Sequence, residues 1–153
     1  MTPDHIRTVQ STWTRLLPVK GVAAQILCER LRENAPSLGC LVRGNTRERG
    51  MKLMQVIDVA VTGLDRPNRS TRLMRVLGRR NADCAVTKPH YDSIADSLLG
   101  MLDTCLGPDF TGEVRVAWET VYLELAAIMR DAAVGTPRGN DVKVQKHSFR
   151  SAL

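Results

Sequence analysis

Aromatic side chains are scarce in this chain of 153 residues: two Trp, two Tyr and two Phe make up 4% of it, and residues 14–90 hold none. That scarcity excludes a single-strand nucleic-acid platform, which needs aromatics to stack the bases. Histidine is also rare, with three residues (His5, His90, His147) lying far apart. The four cysteines, Cys28, Cys40, Cys84 and Cys105, form no CxxC pair. Such spacing argues against a zinc or iron–sulfur site, and reduced, mostly buried thiols are expected. No apolar run approaches the roughly 18 residues of a membrane span, and the N-terminal stretch lacks the apolar centre of a signal peptide. A cytoplasmic protein without a membrane segment is the expectation.

What is present suits one globular domain. Hydrophobic residues make up 43% of the chain and charged ones 25%, and this length can bury one substantial core. The net charge of +6 permits an acidic partner without demanding one. Part of the excess sits in residues 136–153, where Arg138, Lys143, Lys146 and Arg150 oppose only Asp141. That stretch has no useful helical period, so the expected division is a folded unit at 1–135 and a flexible basic tail at 136–153.

Apolar residues recur at helical spacing throughout, and no segment alternates as a strand does. Thr2-Pro3 opens a first helix carrying Ile6, Val9, Trp13 and Leu16 on one face, stopped by Pro18. Further helices are expected at about 20–34 and 46–63, followed by a breaker-rich loop from Gly63 to Ser70. A fourth, about 70–81, turns Leu73, Met74 and Leu77 inward, with Asn81 one turn beyond on the same face. Asn81 therefore needs hydrogen-bond partners. A fifth spans about 88–106, and the last runs from Thr111 to about Ala133 before Gly135 and Pro137. The fold class is all-α, with six to eight helices.

The 66–80 segment is rich in arginine: Arg66, Arg69, Arg72, Arg75, Arg79 and Arg80. Arg72, Arg75 and Arg79 fall within about 60° on one helix face, opposite Leu77 and Asn81. Such a ridge suits an acidic protein surface or phosphate, and equally a solvated face. Without aromatics, nucleic acid is not the expected partner.

Several short motifs, in this order, resemble a known family. They are Pro36-Ser37-Leu38, the stretch Lys52 to Asp58, Leu77-Gly78-Arg79-Arg80, His90-Tyr91, and Leu106-Gly107-Pro108-Asp109-Phe110-Thr111 followed by Ala117-Trp118. Together the chain resembles the globins, of the bacterial single-domain, flavohaemoglobin-like and neuroglobin-like types, over about residues 3–134. The resemblance implies a globin fold and places the family's haem-contacting positions here. The proximal ligand, a histidine in the family, falls on Asn81. The phenylalanine that packs on haem falls on Val42, and the distal residue, usually His or Gln, on Arg49 with Leu53 one turn on. The distal aromatic of the second helix falls on Cys28, and Leu77 and Val86 complete the implied pocket.

An amide is no substitute for imidazole: its nitrogen has no usable lone pair and its oxygen is a hard, weak donor. The changes at Cys28, Val42, Arg49 and Asn81 strike the haem-contacting positions while the framework stays recognisable. The resemblance then implies a degenerate pocket. One reading is a haem-free regulatory or sensor-type module of bacterial origin, without cofactor, acting through a protein partner or self-association. Its pocket would be filled by side chains or by a small apolar or anionic ligand, and Arg49, if turned inward, would need an anion. The other reading keeps haem, with unusual ligation through Cys84, His90, Lys52 or Cys28, in a gas or redox sensor. No enzymatic role is expected, because a globin dioxygenase needs a reductase module that this sequence does not contain.

Overall fold

In the computed structural model, residues 1–38 and 44–134 are described. Six α-helices build them: α1 (Pro3–Leu16), α2 (Lys20–Asn34), α3 (Thr46–Thr62), α4 (Pro67–Asp83), α5 (Lys88–Leu106) and α6 (Gly112–Val134). Short 3-10 turns at Leu17–Val19 and Gly107–Asp109 join α1 to α2 and α5 to α6. The all-α expectation holds, with no strand among the described residues. Val42 and the tail at 136–153 lie outside them.

Local chemistry sets the helix ends. Thr2 caps α1, its hydroxyl accepting from the His5 amide at 3.2 Å while the His5 ring accepts from the Thr2 amide. The same reciprocal arrangement recurs at α5 between Thr87 and His90. Asn45 caps α3 by accepting from the Arg47 and Glu48 amides.

The fourth helix is longer than its periodicity predicts. It begins at Pro67, because proline suits the first helical position, where its missing N–H is no loss. At its other end the Val86 amide returns to the Asn81 carbonyl (3.0 Å) and the Ala85 amide to that of Ala82 (3.1 Å). This left-handed cap normally takes glycine. Here Ala85 occupies it, at φ 55°.

Packing is set by a few close approaches. A Cβ on Gly50 would stand 2.4 Å from the Ala24 carbonyl oxygen, so α2 and α3 touch backbone to backbone. A Cβ on Gly78 would stand 2.1 Å from the Met129 carbonyl, which presses α4 onto α6. Two tryptophans tie α1 to α3 and to α6. Trp13 donates to Asp58 at 2.8 Å and Trp118 to Thr12 at 2.9 Å, their rings 6.1 Å apart. Each indole N–H thus has the partner that burial requires.

Core side chains fall into two clusters. The larger includes Val9, Trp13, Leu27, Leu31, Leu102 and Trp118. The smaller centres on Met74 and Leu77 of α4, against Val56, Ile128 and Met129. α4 is anchored chiefly by α6, and it makes only sparse contact with α3 and α5.

Candidate functional site: an apolar cavity behind the fourth helix

Between the two clusters lies a cavity of about 170 Å³. Both contribute walls: Leu27, Leu31 and Trp118 from the larger, Met74 and Leu77 from the smaller, with Leu53, Tyr91 and Met129 among the rest. Such a volume is comparable to the roughly 150 Å³ apolar cavities that accept a benzene molecule.

Asn81 reaches this cavity from α4 and is buried, as its helical phase predicts. Its Nδ2 donates to the Tyr91 hydroxyl at 3.1 Å and lies 3.8 Å from the Met129 sulfur. Tyr122 donates its hydroxyl to the Tyr91 carbonyl at 2.6 Å, fixing the start of α5 against α6. Burial pushes the Tyr91 hydroxyl above its ordinary pKa, against the opposing pull of the Asn81 hydrogen bond and the Arg130 charge. Tyr122 is pushed up further, by burial first and then by Tyr91 and Asp92. Both hydroxyls are protonated at neutral pH. Sequence reading missed Tyr91 and Met129 as the partners of Asn81. The only available signal was that an inward amide needs partners, and Tyr91 lies across a corner, ten residues on.

The other expected positions divide. Leu53 and Leu77 line the cavity with Asn81. Val86 packs on the larger cluster and does not line it. Cys28 is fully buried, with burial raising its thiol pKa while Arg32 and Arg49 oppose the shift. It is a core thiol outside the cavity wall. Arg49 and Lys52 are half-exposed and do not line the cavity either.

Cys84 requires a correction. The reduced thiol expected there is a disulfide, and a disulfide sulfur carries no thiolate for iron. Among the described residues the free cysteines are Cys28 and Cys105.

His90 has both ring nitrogens engaged. Nδ1 accepts from the Thr87 amide at 2.9 Å, which leaves the proton on Nε2, 2.7 Å from the Ser37 hydroxyl. The ring joins the start of α5 to the turn after α2 and is not part of the cavity wall. The same polarity rules out Ser37 as an activated nucleophile, since a base must accept the serine proton.

Among the described residues the wall thus supplies no imidazole and no thiol. Its thioethers, Met74 and Met129, are of a kind that serves haem iron opposite an imidazole. That donor set does not match the ordinary ligation of haem.

On the opposite side of α4, Arg72 and Arg75 are exposed and Arg79 half-exposed, as expected for a ridge facing away from Asn81. With Asn68, Thr71 and Val76 they line a shallow surface groove. No ion pair among the described residues reaches Arg66, Arg69, Arg72, Arg75 or Arg79. Also among the described residues, no helix is long and apolar enough to cross a membrane.

Comparisons with known proteins agree with this architecture. The Globin family model matches residues 43–129. Neuroglobin of Danio rerio is 34% identical over 90 residues, 59% of this chain and 57% of that protein. Neuroglobin of Tetraodon nigroviridis is 30% identical over 135 residues, 79% of this chain and 85% of its own length. Among solved structures, haemoglobin of the botfly Gasterophilus intestinalis superposes with a TM-score of 0.75 at 12% identity, covering 88% of this chain and 99% of that one. Family match, relatives and helical architecture agree: the chain belongs to the globin family.

Proposed function

We propose that this protein is a haem-free globin acting by interaction: a regulatory, sensor-type module whose cavity has lost the chemistry of iron. The observation that carries the reading is the engagement of Asn81. Where the resemblance puts the proximal ligand, the side chain is an amide turned to Tyr91 and Met129, in a wall without imidazole or thiol among the described residues. The disulfide at Cys84 and the engaged ring of His90 weigh against those two residues as substitute ligands.

The output surface in this reading is the arginine ridge of α4. Guanidinium groups pair with carboxylates in planar, two-point contacts, so the partner is an acidic protein surface, on another protein or on a second copy. α4 carries the cavity wall on one face and the ridge on the other, so one helix serves both. The role proposed is binding, not catalysis. The setting proposed is the bacterial cytoplasm, where the Cys84 disulfide would be a transient, redox-responsive bond.

The test is an absorbance spectrum of protein expressed with haem in supply, followed by haemin titration. No Soret band is expected. Protein that purifies red with about one haem per chain overturns the reading.

A further inference from the structure

We infer that the cavity behind α4 is a binding site for a small, uncharged, predominantly hydrocarbon ligand about the size of one aromatic ring. This rests on the haem-free reading and commits it to one ligand class.

Size is the first argument. About 170 Å³ admits a single ring or a short branched chain. The chemistry of the wall is the second. Leu27, Leu31, Val61, Leu64 and Leu98 surround it with hydrocarbon. Most of the polar groups present are already engaged: the Trp118 indole with Thr12, the Tyr122 hydroxyl with the Tyr91 carbonyl, and Asn81 Nδ2 with the Tyr91 hydroxyl. A water molecule needs two to four polar partners, and this wall offers them only at the Asn81–Tyr91 corner.

Charge is the third argument, and it decides against an anionic ligand. Arg49, Lys52, Arg72, Arg75 and Arg79 all stand outside the wall. The Arg130 charge acts on Tyr91 and Tyr122 from outside the wall, so a carboxylate or phosphate inside would be buried with no cation in contact. One polar contact is open to a neutral guest. The Tyr91 hydroxyl accepts from Asn81 and keeps its own proton, so a ligand with a single hydrogen-bond acceptor also fits.

The position of the cavity gives occupancy a consequence. Met74, Leu77 and Asn81 are its α4 wall, and α4 has few ties apart from α6. Filling the space adds contacts between α4 and the main core that the protein otherwise lacks.

The test uses benzene and xenon as neutral probes, with benzoate as the charged counterpart. Benzene should raise the unfolding midpoint saturably by about 2–4 °C, alter the emission of Trp118 in the wall, and be displaced by xenon. Benzoate should do none of these. Leu77→Trp and Leu125→Phe each fill the space from a different helix. Whichever retains the parent's circular dichroism should bind benzene at least tenfold more weakly. The inference is overturned if neither neutral probe binds, if benzoate binds as well as benzene, or if the folded filled variants respond like the parent. A haemin titration alongside separates the two claims. A missing benzene response without a Soret band defeats the ligand alone, whereas a one-to-one Soret band defeats the haem-free reading and the ligand with it.

Discussion

Asn81 donates its amide hydrogen to the Tyr91 hydroxyl at 3.1 Å, across the corner between α4 and α5 and inside an otherwise hydrocarbon wall. An unpaired buried donor or acceptor costs about 1–3 kcal/mol, so the two residues depend on each other. In a cycle of Asn81→Leu, Tyr91→Phe and the double variant, each single change should destabilise by about 1–3 kcal/mol. The double variant should cost less than their sum, by about 0.5–1.5 kcal/mol. Urea unfolding measures it, and additivity within about 0.3 kcal/mol would show that the bond contributes nothing.

Gly78 sets how closely α4 sits on α6. Gly78→Ala places a methyl 2.1 Å from the Met129 carbonyl oxygen. The obstacle is backbone, so the helices must part, at a cost of about 1–3 kcal/mol. Gly112→Ala, whose Cβ meets nothing within 4 Å, is the control and should lie within about 0.5 kcal/mol of the parent. Equal unfolding midpoints for the two variants would refute the close approach.

Ala85 holds a left-handed conformation, φ 55°, that glycine adopts without penalty. Ala85→Gly should therefore stabilise the protein by about 0.5–1 kcal/mol. The reverse sign would mean that the α4 cap is not strained at this residue.

Stability should fall on the alkaline side. Cys28, Cys105, Tyr91 and Tyr122 all have raised pKa values in the folded chain, chiefly through burial. As pH rises, the unfolded chain loses these protons first, from the ordinary thiol value of 9.0 upward. The unfolded state then binds fewer protons than the folded one, and the free energy of unfolding declines. This contribution is intact at pH 7 and is lost progressively above about 9. Chemical unfolding at pH 7, 9 and 10 checks it; a flat profile refutes it.

The arginine ridge should behave as a functional surface kept at some cost to stability. Arg72, Arg75 and Arg79 stand three and four residues apart without an ion pair among the described residues. Like charges at such spacing destabilise a helix by about 0.2–0.5 kcal/mol per pair. Arg75→Glu replaces two repulsions by two attractions and should raise stability by about 1 kcal/mol, while weakening retention on an acidic matrix. A loss of stability would mean that Arg75 has a structural role.

Much of the fold was legible because helical period and stop signals are local. α2 and α5 follow their expected limits, and α1, α3 and α6 come within a residue or two. α4 was misjudged by three residues at its start, since Pro67 reads as a breaker until its place at the first helical position is seen. The inward phase of Asn81 and the outward phase of Arg72 and Arg75 were also legible, because periodicity fixes direction around a helix. Cys84 was not: spacing along the chain says nothing about which sulfurs meet. Nor was the Ser37–His90 bond, which joins residues 53 apart.

The sequence by itself determined an all-α globin with an inward-facing amide, Asn81, and a basic face on the fourth helix, because helical phase and residue chemistry are written locally. Only the tertiary structure decided what the amide does. Helix α4 lies against α6 through Gly78 and Met129, Tyr91 comes round from α5 to meet Asn81, and hydrocarbon side chains line most of the rest. Those are long-range distances, set by how helices pack, and no local pattern contains them.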